Sequence, residues 1–267
     1  MTSTLIPLTG LPGRYGARQV VRAEFAKLRT LRSTKWTLAI TIIGTLMVTI
    51  LATNSVQHSG PGRGLLNFDP TNQSLSGFAL GSLAIGVLGV LAMTGEYSSG
   101  TIRSSLAAAP RRPLLLAAKA IVTGFIGLVV GEVMTFACFF IGQAIMAGRV
   151  QTAALGDPGV LRALVLTGAY LALLGLLGLG LGVIIRHTAG AIAAFVGVIF
   201  LVPALLQPLS AHGNPARFAP EEILSNSVAA VLPQSHQLSP TVGFLFMIGY
   251  CVAVLAVAVV LLNRRDA

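Results

Sequence analysis

Few residues in this chain have side chains suited to covalent or acid–base chemistry, and none of them are grouped. Its 267 residues include eight acids, four histidines and two cysteines. His58, His187, His212 and His236 lie apart from one another in polar connections. Cys138 and Cys251 fall inside apolar runs with no metal-ligand spacing, which reads as small core residues. No G-x-x-x-x-G-K-[ST] phosphate loop, H-E-x-x-H, C-x-x-C or G-x-S-x-G motif occurs. Nucleophile, base and oxyanion donors are not assembled by any spacing, so the chain is expected to have no catalytic residues and no metal or cofactor of its own.

One acid stands out by its depth. Glu132 lies near the middle of GFIGLVVGEVMTFACFFIGQ, with Thr135 one turn on and Gln143 on a similar face. A carboxylate at membrane depth costs about 2.5–3.5 kcal/mol on insertion scales, so it must face protein or be protonated. Two readings stay open for Glu132, Thr135 and Gln143. They form a polar patch on a translocation path, or they make interhelical hydrogen bonds that fix packing.

The surroundings of that acid set the solvent. Hydrophobic residues make up 54% of the chain and charged residues only 10%, and mean hydropathy is +0.83. Soluble domains average about 25% charged residues. A chain this poor in charge is expected to be an all-α integral membrane protein. Six runs are long enough to span a bilayer, near residues 36–53, 77–94, 114–147, 160–185, 188–207 and 241–262. The third exceeds one straight crossing, so its first turns, up to Lys119, belong at an interface. The expected domain layout is a flexible tail over residues 1–17, an interfacial helix over 18–35 and a six-span domain over 36–267. The first apolar run follows a long basic segment, so it reads as a retained span rather than a cleaved signal.

The net charge of +10 would suggest nucleic acid in a soluble protein. Here the charge lies beside apolar runs and orients them instead. Fourteen of the eighteen basic residues fall before the first span, in the second-to-third and fourth-to-fifth connections, or in the tail. Arg63, Arg149, Arg162 and Arg217 fall on the other side. The alternation places both termini in the cytoplasm. The excess of arginine over lysine, with abundant Ala and Gly, fits a GC-rich bacterial genome and hence the bacterial inner membrane.

QVVRAEFAKLRTL precedes the first span. On a helical wheel Val20, Val21, Phe25, Leu28 and Leu31 share an arc, with Arg18, Arg22 and Arg29 beyond its edge. Glu24 falls inside the apolar arc, so the amphipathicity is imperfect. The pattern predicts an interfacial helix against membrane lipid, with an unstructured basic tether as the alternative. Between the last two spans, Pro220, Glu221 and Glu222 mark a helix start. That helix either dips into the outer interface or packs on the spans. Glycines line the third and fourth spans, which permits close helix approach, and Pro203 is expected to kink the fifth.

EYSSGTIRSSLAAAPRRP, residues 96–113, is a polar interruption between the second and third spans. Ser98 or Ser99 is placed to cap a short helix running to about Ala108. Pro110 ends it, Arg111 and Arg112 sit at the interface, and Pro113 suits the first turn of the next helix. A short rigid helix exposing Arg103 suggests a docking surface.

At these residues the chain resembles the permease subunits of ABC transporters of the ABC-2 type (type V exporter-like). The resemblance rests on GEYSSGTIRSSLAAAPRRPLLLAAK, in which Glu96, Gly100, Thr101, Arg103, Pro110, Arg111 and Lys119 match the family pattern. It implies that this short helix is a coupling helix, with Glu96, Gly100, Thr101, Arg103, Pro110 and Arg111 engaging a separate ABC ATPase, present in two copies, which binds the ATP and Mg. It also implies a homodimer, or a pair with a paralogous permease, working as an exporter. Short external loops and an apolar interior favour a lipophilic or amphipathic small molecule as cargo, and the placement of the charge beside apolar runs argues against nucleic acid as a partner. Two other readings remain: an ATP-independent secondary transporter, and a non-transporting anchor or sensor that recruits an ATPase. The first of these would want internal repeats and paired intramembrane charges, and the sequence shows one deep acid and no clear repeat.

Overall fold

A computed structural model describes residues 16–30, 32–58, 68–108, 111–206, 215–230 and 238–264. Pro110, His212, His236, Arg14, Arg63 and Arg265 lie outside these residues, as do parts of both long connections. The described residues contain helices and turns but no strand.

Among the described residues eleven α-helices follow one another. They are α1 (Ala17–Thr30), α2 (Arg32–His58), α3 (Pro70–Ser74), α4 (Phe78–Ser98), α5 (Thr101–Ala108) and α6 (Arg112–Met146). Then come α7 (Val160–Ile185), α8 (Thr188–Val196), α9 (Val202–Leu206), α10 (Pro220–Val228) and α11 (Pro240–Arg264). Among the described residues six stretches are long and apolar enough to cross a membrane: Thr34–Val56, Phe78–Ser98, Arg112–Met146, Val160–Ile185, Thr188–Leu206 and Pro240–Arg264. The chain is an all-α, multi-pass membrane protein.

The fourth span is the axis of the bundle. α7 is 67% buried along its most apolar window, whereas the first, fifth and sixth spans are 22% buried. It packs against α4, α6 and α11. Its glycines allow this: a Cβ on Gly89 of α4 would lie 2.0 Å from the Gly175 carbonyl oxygen, and one on Gly178 would lie 2.1 Å from that of Gly86. Backbone therefore meets backbone where α4 crosses α7, the small-residue packing that replaces the hydrophobic effect inside lipid. The outward faces carry Trp36, Ile40, Ile43, Leu245 and Val252, all strongly exposed, as a lipid-facing surface requires.

α6 is one continuous helix of 35 residues, about 52 Å long. Its first turns extend past a single bilayer crossing and meet α1. In the fifth span the chain passes from α8 into a π-helical turn, Gly197–Leu201, immediately before Pro203. The wider turn accommodates a proline that cannot donate to the helix ladder.

At the end of the bundle away from α1, polar side chains tie the connections together. The Asp69 carboxylate caps α3 by accepting from Thr71 N at 2.9 Å, and it also accepts from Ala230 N at 2.7 Å. Arg162 donates to Ala229 O at 3.0 Å, and Tyr170 Oη donates to Pro220 O. Pro220, Ile223, Leu224 and Val228 of α10 are buried, with α10 lying on α7 and α11. The helix starting at Pro220 thus packs on the spans.

Candidate functional site: an ion-paired junction of three helices

The charges that sequence reasoning scattered over three segments converge at one end of the bundle. Lys119, on the third turn of α6, is 4% exposed. Its ammonium lies 2.7 Å from Glu24 Oε2 of α1 and 2.6 Å from Glu96 Oε1 of α4. Lys27, one turn after Glu24, closes the figure at 2.8 Å from Glu24 Oε1 and 3.1 Å from Glu96 Oε1. It also donates to Ser105 Oγ of α5 at 3.0 Å. Two acids and two bases thus join α1, α4, α5 and α6.

The apolar surroundings hold this tetrad in place. Val20, Met93, Ile102, Leu115, Leu116, Leu179, Val183 and Leu262 pack as one buried cluster. Val20 and Glu24 are the buried residues of α1. Glu24 therefore belongs inside the apolar arc, because that arc is docked on α6 with Lys119 waiting under it. Arg18, Arg22, Phe25 and Arg29 are exposed on the remaining surface of α1. Burial alone lowers the Lys27 ammonium, but the hydrogen bonds and charges of Glu24 and Glu96 outweigh it and raise Lys27 above the ordinary lysine value of 10.5. Its stabilising contribution is full below that value and is lost as pH rises through the raised one. Lys27 therefore stays charged at neutral pH.

The α4–α5 turn departs from the expected cap. α4 continues to Ser98, and the short helix starts at Thr101 rather than being capped by Ser98 or Ser99. Ser99 Oγ instead donates back to Gly95 O at 2.7 Å and lies 2.8 Å from Thr101 Oγ1. The reversal is made by Gly100, whose φ is 71°. A side chain there costs about 1–2 kcal/mol in the left-handed region. Gly100→Val is accordingly expected to lower the melting midpoint of the purified chain by an amount matching that cost, with α5 detached from α4 in cysteine cross-linking.

Beyond the turn, α5 buries Ile102 and Ser105 and exposes Thr101, Arg103 and Ser104. Arg111, also exposed, starts α6 in an extended conformation, and a proline in the first turn follows as the sequence predicts. Arg112 ties this corner to the end of the last span, donating to Leu262 O at 2.8 Å. Arg186, left-handed at φ 60°, ends α7 with its guanidinium 5.3 Å from the Tyr97 ring centre.

The expected group Glu132, Thr135 and Gln143 does not come together. Glu132 and Gln143 are eleven residues apart on one helix, about 16 Å along its axis. The Glu132 carboxyl lies against Gly168, where a Cβ would come within 2.5 Å of its Cδ, and its Oε2 has no hydrogen-bond partner. Thr135 Oγ1 donates to Gly131 O of its own helix at 2.8 Å. Gln143 donates to Pro70 O at 3.0 Å and to Ser74 Oγ at 3.1 Å, and accepts from Ala153 N at 2.8 Å. That makes Gln143 a clamp on the connections. Among the described residues no group of His, Cys, Asp or Glu could hold a metal ion.

The tetrad escaped sequence reasoning, although its signals were present. They were an acid in the apolar arc of α1 and a lysine at the start of an apolar span. Only the fold shows that they answer each other.

The family model for ABC-2 family transporter proteins matches residues 20–206. That range begins in the buried face of α1, contains all four members of the tetrad and ends with the fifth span. No curated protein matches the chain. A match over well over half of the chain, on a bundle of six candidate spans with this polar corner, establishes the assignment: the chain belongs to the ABC-2 transporter family.

Proposed function

We propose that the chain is the permease subunit of an ATP-driven exporter of a lipophilic or amphipathic small molecule. Association with an ABC ATPase follows from the family. Two copies of that ATPase bind ATP and Mg and power two copies of this chain in the bacterial inner membrane, with both termini in the cytoplasm. The positive-inside bias supports that orientation, because α1, α5 and the basic connections share one end.

The observation that carries the reading is the tetrad. A push on α5 meets Ser105 and Ile102, and through Lys27 it reaches α1, α4 and α6 together. The Lys119 pairs with Glu24 and Glu96, which have little solvent, resist stretching far more than the half-exposed pairs of Lys27. Motion at α5 is therefore delivered to the second and third spans as a unit. Glu96, Gly100 and Thr101 shape the lever, and Arg103 and Arg111 present its contact surface.

Reversing the charge of Arg103 tests this. Arg103→Glu is expected to leave membrane insertion and melting unchanged, because the side chain is exposed, while transport by the permease–ATPase complex falls at least about tenfold, the cost of a lost charged contact at an interface. Full transport and unaltered ATPase stimulation in that variant would remove α5 as the docking surface.

A further inference from the structure

A cavity of about 710 Å³ lies between α1, α2, α4, α5 and α6, beside the tetrad. Its size suits a drug-sized ligand. Leu28, Leu88, Leu91 and Ala92 give it one apolar wall. Leu91 is 39% exposed, so that wall is open to a hydrocarbon chain.

Among the described residues, the charged side chains that line the cavity are the four of the tetrad, and they answer one another. Each Glu24 oxygen takes one lysine, and Glu96 Oε1 takes both. The Lys27 ammonium gives its three protons to Glu24, Glu96 and Ser105. Glu96 Oε2 is buried, out of reach of anything in the cavity, and Lys119 is buried as well. The charged wall is therefore neutral as a whole. An ion placed against it would give up water and gain no countercharge.

Hydroxyls supply the rest of the polar lining, and they offer both kinds of hydrogen bond. Thr34 and Thr37 stand one turn apart on α2, partly buried, and among the described residues their side chains have no partner. Each is free to donate and to accept. Thr30, Ser99 and Ser104 have given their protons to Ala26 O, Gly95 O and Thr101 O and keep lone pairs. An ammonium, which only donates, would leave the two free threonine protons unmatched. A sulfate or carboxylate, which only accepts, would leave the lone pairs unmatched. A hydroxyl group uses both.

We propose that this cavity binds the headgroup of a non-ionic amphiphile that carries several hydroxyls, of the kind a sugar or polyol supplies. Its hydroxyls pair with Thr34, Thr37 and the rim oxygens, and its chain lies on Leu88 and Leu91. As the class of cargo, this deepens the transport reading and rests on it. As a binding site it stands alone.

The test uses the full chain, purified without glycoside detergents, in phosphatidylcholine nanodiscs. Four photoactivatable twelve-carbon probes are compared, ending in a glucoside, a methyl ether, a trimethylammonium or a sulfate. The glucoside is expected to label peptides containing Leu88 and Leu91 at least about tenfold more than each of the others, the effect of one or two matched hydrogen bonds. Unlabelled dodecyl glucoside at micromolar concentration should compete, whereas dodecyl methyl ether should not. Thr34→Val with Thr37→Val keeps the side-chain shape and should remove most of the preference, and the cavity-filling Ala92→Trp should remove the labelling itself. Competition on the unmodified chain decides the matter if either variant fails to fold. Equal labelling by the methyl ether overturns recognition through hydroxyls, and equal labelling by either charged probe overturns the preference for a neutral head. Labelling elsewhere, or none, overturns the site. If selectivity fails while Arg103→Glu still uncouples the ATPase, the ligand site falls and the transport reading stands. If selectivity holds while Arg103→Glu transports normally, the binding site stands and the coupling through α5 falls.

Discussion

Replacing Lys119 by methionine is expected to destabilise the protein by about 3–5 kcal/mol, the cost of breaking a buried ion pair from one side. The ammonium is 4% exposed and is shared by Glu24 and Glu96. Its loss leaves two carboxylates facing each other with Lys27 alone between them. Lys27 cannot compensate, because its side chain is 43% exposed and its pairs are partly screened by water. Lys27→Met should therefore cost at most about 1 kcal/mol. The contrast between two lysines bound to the same two acids is the informative result. Equal melting shifts would mean that burial does not set the strength of the network. Adding Glu24→Gln, Glu96→Gln and Lys27→Met to Lys119→Met removes all four charges and should recover most of the stability, since neutral replacements of buried charge clusters are often tolerated. If the tetrad transmits motion, that neutral quadruple variant melts close to normally but no longer links ATP hydrolysis to transport. Thermal melting separates the two effects from ATPase coupling.

The sequence showed the apolar runs, and with them the class of fold, because lipid leaves a chain few alternatives to helices. The third span reads as over-long from sequence and is over-long in space, since α6 must reach α1. The polar corner was less legible. Glu24 looked like a flaw in an amphipathic pattern, because a helical wheel shows which residues share a face but not what that face meets. Lys119 read as a positive-inside charge at a span boundary, which is also how an unpaired lysine would read. The short helix was visible from its flanking residues. Its start was misplaced because two serines resemble a cap, while the turn depends on the φ of Gly100. For Glu132, Thr135 and Gln143 the alternatives were legible but the partners were not: Gln143 makes the bonds to another helix that one reading expects. The three residues share a face on the wheel, but a 35-residue helix puts them at different depths, and each meets a different neighbour.

The packing of the fourth span is the other place where one atom should matter. Gly89→Val is expected to cost about 3 kcal/mol, the top of the ordinary range for overpacking, because what it strikes cannot rotate away. The added Cβ would sit 2.0 Å from the Gly175 carbonyl oxygen and 3.1 Å from its Cα. A flexible side chain would yield at such a contact, but a helix backbone moves only as a whole. α4 would have to withdraw from α7, opening the interface at Ile85, Val90 and Leu174, each at most 1% exposed. α4 also carries Glu96 at its far end, so the same withdrawal would draw the carboxylate away from Lys119. The expected result is a lower melting temperature together with loss of a cysteine cross-link placed between α1 and α6. Gly249→Val supplies the comparison, since a Cβ there meets nothing within 4 Å. It should change neither measurement. If Gly89→Val behaves like Gly249→Val, the backbone contact between the second and fourth spans is not what sets their separation, and the tetrad alone holds that end of the bundle together.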